Sequence, residues 1–405
     1  MTIISFYSKM LSRSPAKGLF LLSKVFKNLK LLPMHDLKIA QLVSNFHKVS
    51  SSSNKAIYSH VAWLTNKLMK KGHHVSLFAS GDSETRGKLF SVTEKPLSSL
   101  DLEERIKRHY LHLLISECYK NASQFDVIHS HFNLLNSFYS DLVETPTVQS
   151  IHSPITESLK PLLLHFKDHP YISFSYAQRR SLPDLNWVAN IYHGIDTELF
   201  SFNPYPEDYF LFLGRITEEK GVHLAIKAAK EADVPLVIAG KSYPEEGYWH
   251  REIEKNIDGE KIRYVGEVGL EDKIKLYRNA RATLFPTQYE EVFGLVMIES
   301  MSCGTPVIGW NKGSVPEIVS HNDTGFVVDR VADMVEAMKV TDKIDRKRVR
   351  DRAEKYFSID KMVRGYEKVY SKIVEEKKIK KSKSVRKTKR SQDRDHSLIR
   401  SSFSS

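Results

Sequence analysis

The segment of this chain best equipped for chemistry holds two carboxylates, Glu291 and Glu299, with Phe293-Gly294-Leu295-Val296 between them. A strand is expected to end near Phe285, followed by a loop carrying Glu290, Glu291, Phe293 and Gly294. A helix should then start at about Leu295 and stop at Gly304, with Pro306 beyond it. At such a start Phe293, Gly294, Leu295 and Val296 present backbone N–H groups that have no intrahelical acceptor, at the positive end of the helix dipole. That is an anion site of a kind suited to a diphosphate. Gly294 lets a ligand approach without a side chain in the way. Glu299 lies roughly 7.5 Å further along the axis, in reach of ribose hydroxyls, and Glu291 lies on the other side of the phosphates, where a sugar would sit. The plainer reading has both glutamates solvated.

A second segment, Leu213-Gly214-Arg215-Ile216-Thr217-Glu218-Glu219-Lys220-Gly221, follows a strand. Arg215 can grip a phosphate bidentately, and Lys220 adds a mobile point charge. Together they would neutralise charge building on a leaving diphosphate without a metal. The alternative is a surface loop in which Glu219 pairs with a base.

Short apolar runs must position these loops. In the first half they are Leu37–Val43, His74–Ala79, Asp126–His129, Thr147–Ile151, Tyr171–Phe174 and Trp187–Ile191. In the second they are Tyr209–Leu213, Leu236–Ala239, Ile262–Val265, Ala282–Phe285, Val307–Gly309 and Phe326–Val328. Helical spacing fills Val222–Ala232, Leu270–Ala280 and Leu295–Cys303. Runs of this length and composition are buried parallel strands. Two β/α series in succession predict an α/β protein of two doubly wound domains facing a central cleft, with ligands held beyond the carboxyl ends of the strands. The expected parts are a basic extension (1–35), a first domain (36–195), a Pro/Asn-rich linker (196–207), a second domain (208–350), C-terminal helices (351–376) and a disordered basic tail (377–405).

With G-R-I-x-x-E-K-G over 214–221 and E-x-F-G-x-x-x-x-E over 291–299, the chain resembles glycosyltransferase family 4, part of the glycosyl transferases group 1. The likeness covers roughly residues 37–375 and is strongest over Gly214–Pro306. It implies a GT-B fold of two Rossmann-like domains and a retaining hexosyltransferase that uses a nucleotide sugar, UDP- or GDP-linked, and no other cofactor. By that resemblance Arg215 and Lys220 bind the donor diphosphate and Glu291 contacts the donor sugar. Glu299 takes the ribose, and the Phe293–Val296 backbone serves sugar and phosphate. The backbone around Val268 lies beside the base, and His131, in F-D-V-I-H-S-H, points toward the donor sugar. Glu291, Lys220, Arg215 and His131 are then the catalytic set. Many members carry a Gly-Gly pair after the first strand, where this chain reads Ser50-Ser51-Ser52-Ser53-Asn54-Lys55.

No metal site is expected. His129 and His131 share a strand face, but no third ligand is evident, and the Asp393-Arg394-Asp395 match to a metal signature falls in the tail. The net charge of +12 is concentrated at the ends: residues 1–30 carry +6 and residues 377–390 carry +9, so the body is slightly acidic. Residues 17–32 would form a basic amphipathic helix able to lie on an anionic membrane, or else an extension packed on the body. The tail offers a second peripheral membrane contact, and no specific nucleic acid is expected. Two distant cysteines, Cys118 and Cys303, fit a reducing cytosol. Ser314 and Glu317 read as a capping box, and Gly194 as turn chemistry at the domain junction. The chain lacks P-loop, G-x-S-x-G and G-x-G-x-x-G motifs, which argues against NTPase, hydrolase and dehydrogenase chemistry. The alternatives are a GT-B-type sugar-nucleotide epimerase and an inactive scaffold binding membrane or nucleic acid through its basic ends.

Overall fold

The structure is a computed structural model that describes residues 36–402 other than Asn54, with side chains described as far as Ser382, Glu246 excepted. The expected helix over 17–32 lies outside the described residues. The first lobe is a seven-stranded sheet: β1 (Lys38–Leu42), β2 (His74–Phe78), β3 (Lys88–Phe90), β4 (Val127–Ser130), β5 (Thr147–Ser150), β6 (Tyr171–Ser173) and β7 (Trp187–Asn190). Its order is β3-β2-β1-β4-β5-β6-β7, and every pairing is parallel. The second lobe has six strands, β8 (Phe210–Leu213), β9 (Leu236–Ala239), β10 (Ile262–Tyr264), β11 (Thr283–Phe285), β12 (Val307–Trp310) and β13 (Gly325–Val328). They are ordered β10-β9-β8-β11-β12-β13 and are again parallel throughout. Each strand expected from sequence is present within a residue of its expected bounds. β3 is an addition, a three-residue edge strand with no fully buried side chain.

Strand order reverses between β1 and β4 in one sheet and between β8 and β11 in the other. Both are topological switch points, where loops splay apart at the carboxyl ends and leave a crevice. The longer helices are α1 (Ala56–Lys70), α2 (Glu104–Lys120), α3 (Val222–Ala232), α4 (Leu270–Asn279), α5 (Leu295–Ser302), α6 (Val331–Val340), α7 (Arg346–Phe357) and α8 (Ile359–Ser402). Covered on both faces, the strands have no need for polar alternation: β4, β5, β9 and β12 are buried at every position.

The chain crosses between lobes twice at one place. Ile195 pairs with Ser358 as it enters the second lobe, and α8 then returns to the first. Gly194 serves close packing there: a Cβ on it would stand 2.5 Å from the Ser358 carbonyl oxygen. On α8, Met362, Val363, Tyr366, Val369, Tyr370, Ile373 and Val374 recur at helical spacing and are buried against Ile39, Val127, Val148 and Ile172. Each such side chain contributes about 1.5–3 kcal/mol of transfer free energy, which fastens the returning helix to the first lobe.

The expected linker, 196–207, joins the two sheets and is itself packed, with Phe200 buried in the second core and α7 gripping the chain from beside it. Arg346 donates to the Asn203 carbonyl at 2.7 Å, and Arg350 donates to that of Phe200. In place of a disordered tail from Lys377, helical backbone continues to Ser402. The tail contains neither Gly nor Pro, and lysine and arginine are good helix formers.

Candidate functional site

The two segments singled out by sequence meet. β8 and β11 are neighbours, so the loops that leave their carboxyl ends are neighbours too. Gly221, at φ +73°, closes the first loop; a Cβ there would stand 2.1 Å from the Pro286 carbonyl oxygen. Only glycine permits both that conformation and that approach. Gln288 N–H donates to the Glu219 carbonyl at 2.7 Å and clips the loops together. Lys220 Nζ in consequence lies 2.6 Å from Glu291 Oε2 and also donates to the Tyr289 hydroxyl. Tyr289 donates in turn to the same carboxylate oxygen at 2.6 Å. Burial, reinforced by Glu291, pushes the Tyr289 phenol well above its ordinary range, so it stays a donor. Lys220 has three N–H groups. Two are engaged here, and among the described residues the third meets no protein acceptor.

Gly294, at φ +80°, sets the start of α5. A Cβ on it would meet Met297 at 2.8 Å and Phe285 at 3.1 Å, so the bare backbone is required here for packing as well as conformation. Among the described residues, the N–H groups of Phe293, Gly294, Leu295 and Val296 donate to no protein acceptor. The expected helix start is formed, one residue after Gly294. On α5, Glu299 is buried, with Oε1 2.9 Å from Lys273 Nζ and Oε2 2.9 Å from the Tyr277 hydroxyl. Each carboxylate oxygen keeps a lone pair for a further donor. Lys273 and Tyr277 lie four apart on α4 and, like Tyr289, were not singled out by sequence reasoning. Their i, i+4 spacing was the available signal.

Arg215 stands at the exposed mouth, 2.8 Å from Glu219 Oε1 and outside the Lys220–Tyr289–Glu291 group. Val268 is half-buried in the loop after β10, which Gly240 N–H holds to the end of β9 through the Gly266 carbonyl at 2.8 Å. Ser50, in the serine-rich loop, donates to Glu84 at 2.7 Å.

The first lobe contributes histidines. His131, buried beyond β4, contacts Gln41 Oε1 through Nε2 at 2.8 Å and His152 Nε2 through Nδ1 at 2.9 Å. Burial, with His129, His152, His60 and His193 nearby, holds its basicity far below the ordinary histidine range. His129 lies on the same face, bonded to Ser150 and Tyr370. Sequence reasoning found no third histidine beside this pair. The fold brings His60 from α1 and His152 from beyond β5, residues too far away in sequence to read as a cluster. His193, 2.9 Å from His60, packs edge-on against Phe293 at 5.0 Å, so the histidine group abuts the loop before α5 across the lobes.

Glu317 is another correction. In place of capping its own helix, its carboxylate crosses to the first lobe, accepting from Tyr176 and Ala177 N–H at 2.9 and 2.7 Å and from the Tyr192 hydroxyl at 3.0 Å. Ser314 donates its hydroxyl to the Phe293 carbonyl at 2.7 Å. A cavity of about 350 Å³ lined by Lys38, His74, Ser76, Gln124 and Phe125 lies at the amino ends of β1 and β2, away from all these groups.

Comparison with known proteins places this geometry. Residues 196–356 match the family model of the glycosyl transferases group 1. Over 130 residues the chain is 33% identical to O-antigen chain mannosyltransferase B of Escherichia coli, which covers 30% of this chain and 33% of that one. Over 299 residues it is 26% identical to the phosphatidyl-myo-inositol mannosyltransferase of Mycolicibacterium smegmatis, covering 67% of this chain and 76% of that one. The chain spans less than two thirds of the length of several curated relatives it matches, the E. coli enzyme among them. Among solved structures, sucrose-phosphate synthase of Thermosynechococcus elongatus superposes with a TM-score of 0.67 at 19% identity, over 83% of this chain and 99% of that one. Anabaena Alr3699/HepE, in complex with UDP and glucose, superposes with a TM-score of 0.64 at 17% identity, over 83% of this chain and 100% of that one. The fold of the chain is accordingly GT-B, its second lobe matching the glycosyl transferases group 1 model.

Proposed function

We propose that this protein is a retaining glycosyltransferase that moves a hexose from a UDP- or GDP-sugar to an acceptor hydroxyl without using a metal in the transfer. The observation that carries the reading is the junction of Lys220, Tyr289 and Glu291 beside the open amino end of α5. It puts a cation with a free N–H and four unengaged backbone N–H groups next to one another, with carboxylates on either side. A ligand with two phosphates in the middle and hydroxyls at both ends has complementary chemistry. The family match over these same residues supports the assignment, as do the UDP and glucose bound by the Anabaena protein.

In the reaction we envisage, the acceptor hydroxyl attacks the anomeric carbon from the face the diphosphate leaves. The C–O bond to the phosphate breaks, the new glycosidic bond forms on the same side, and the departing phosphate oxygen takes the acceptor's proton. Lys220, Arg215 and the α5 amino end hold the developing negative charge. Arg215 exchanges Glu219 for phosphate, a rearrangement its exposed position allows. Glu291 and His131 orient the sugar, Glu299 receives the ribose, and backbone near Val268 flanks the base.

The test is a thermal-shift screen with UDP-, GDP- and ADP-hexoses in chelator, since a ligand at 100 times its Kd adds about 2.7 kcal/mol of stability. Release of free nucleotide from the stabilising donor, with the anomeric configuration of the product read by NMR, then reports the chemistry. A folded sample stabilised by none of these donors defeats the proposal. Interconversion of sugar nucleotides without nucleotide release would make the protein an epimerase.

A further inference from the structure

Three histidines from three elements converge in the first lobe: His60 from α1, His131 directly after β4 and His152 just beyond β5. One ring nitrogen of each lies within 4.8 Å of those of the other two. We propose that these histidines bind a single borderline divalent transition ion, Zn2+ being the species they suit, at a site that takes no part in the transfer chemistry.

Hydrogen bonding fixes where the lone pairs point. Gln41 is fully buried and its Oε1 can only accept, so His131 Nε2 carries the proton and Nδ1 is bare. That bare nitrogen accepts from His152 Nε2–H at 2.9 Å, and a metal takes the place of this hydrogen bond as the His152 proton moves to its Nδ1. Gln41 is itself held, donating to the Tyr370 hydroxyl at 3.1 Å. A buried amide oxygen that takes the outer N–H of an imidazole is the support that metal-ligating histidines ordinarily have. His60 has the Tyr366 hydroxyl at 3.2 Å from its Nε2. Its Nδ1 is hydrogen-bonded to His193 Nδ1 at 2.9 Å.

The spacing fits an ion of this class. Metal–nitrogen distances of about 2.0–2.1 Å in a tetrahedral site separate ligand atoms by roughly 3.4 Å. The triad needs only small ring movements to close on one. A set of imidazoles with no carboxylate selects Zn2+, Co2+ or Ni2+ over Mg2+ and Ca2+, which require oxygen. Because His131 is the residue assigned above to the donor sugar, an ion there should slow transfer; only this consequence rests on the proposed function.

The experiment uses the full chain without a histidine tag, stripped with chelator and dialysed. Titration with Co2+ should give the visible d–d bands of a four-coordinate nitrogen site, saturating at one equivalent and bleached by Zn2+. X-ray absorption of the Zn2+ form should count at least three imidazoles. His152→Ala, at the most accessible ligand, should weaken binding beyond the roughly 10–100-fold that loss of an outer partner costs. Failure to bind one equivalent overturns the proposal, as do oxygen-only ligation or a folded His152→Ala protein that binds Co2+ as tightly as wild type. If His152→Ala does not fold, the wild-type absorption spectrum decides alone. Zn2+ that binds through imidazoles and leaves turnover unchanged upholds the site and removes His131 from the sugar. A stripped enzyme that is inactive until Zn2+ is restored upholds the ligand set but overturns its separation from the transfer chemistry, together with the metal-free reading of transfer.

Discussion

Lys220→Met separates two jobs that one side chain performs. The lysine neutralises Glu291 at 2.6 Å in a largely buried pair, with side chains 15% and 14% exposed, and on the proposed function its remaining N–H serves the diphosphate. Removing one partner of a fully buried ion pair costs about 3–5 kcal/mol. Here some solvent reaches both groups and Tyr289 continues to donate to the carboxylate, so about 2 kcal/mol of stability should go. The ligand-side loss is distinct. A hydrogen bond to a charged group is worth about 1.5–3 kcal/mol, which is roughly a 10- to 150-fold weakening of UDP or GDP. Losing a cation from the developing negative charge should lower turnover by about 10²–10³-fold.

A double-mutant cycle with Glu291→Gln isolates the two effects. In urea unfolding followed by tryptophan fluorescence, Lys220→Met/Glu291→Gln should recover most of the stability lost in Lys220→Met, because no unpaired carboxylate remains. In calorimetric titration with UDP or GDP, which lack the sugar, the same double variant should bind as weakly as Lys220→Met alone. If adding Glu291→Gln restores nucleotide binding as well as stability, Lys220 acts only as a partner for the carboxylate and its place at the diphosphate is refuted. Lys220→Met with unaltered stability would refute the pairing itself.

Gly221→Ala forces a Cβ to 2.1 Å from the Pro286 carbonyl and should cost more than about 1 kcal/mol while weakening nucleotide binding, since the two loops can no longer meet; unchanged binding in calorimetry would sink this. Glu299→Gln should abolish the preference for a ribose over a 2′,3′-dideoxyribose nucleotide, a preference that wild type should show at roughly tenfold or more; equal discrimination by both proteins would remove Glu299 from the ribose. Glu317→Gln gives up the charge that three first-lobe donors converge on, so the lobes should separate more readily, read as a larger radius of gyration by small-angle scattering; an unchanged scattering curve counts against the clamp. Both thiols are buried, and burial pushes Cys303 up to about 12 and Cys118 higher still, so native protein should resist iodoacetamide at pH 8 and label only when unfolded.

What could be read from sequence divides along a physical line. The strands were legible because a parallel sheet covered on both faces must be apolar throughout, and segments such as Leu236–Ala239 satisfy that demand with no competing pattern. β3 escaped because an edge strand of three residues is under no such demand. The helix start at Gly294 was legible since a left-handed glycine and a downstream Gly-x-Pro stop are local signals. Partners supplied by other elements leave no local signal: Lys273 and Tyr277 on Glu299, or Gln41 and His152 on His131. The capping-box reading of Ser314 and Glu317 failed for the same reason. Both residues have short-range uses, but the neighbouring lobe and the Phe293 carbonyl offered better-placed partners. The packing of 196–207 is not legible in composition, which reports what a segment lacks, whereas Phe200 and the α7 arginines supply what the linker is packed against.

The loop before α5 is held from behind as much as it is shaped from within. Phe293, whose backbone N–H is among the open groups at the start of α5, buries its ring against Tyr192, His193 and Phe357, groups that line the crossing between the lobes. Its carbonyl is occupied by Ser314, three residues before the glutamate that reaches into the first lobe. Moving the lobes apart therefore removes the backing of Phe293 and, through the short helix at Val315–Ile318, pulls on the residue that holds its carbonyl. A ligand that requires the N–H groups of 293–296 in one arrangement must favour the lobe position that keeps them so, because binding shifts a two-state equilibrium toward the state it prefers. On the proposed function, lobe position and the arrangement of these N–H groups are coupled, and the aromatic seam at Phe293 is the contact that couples them.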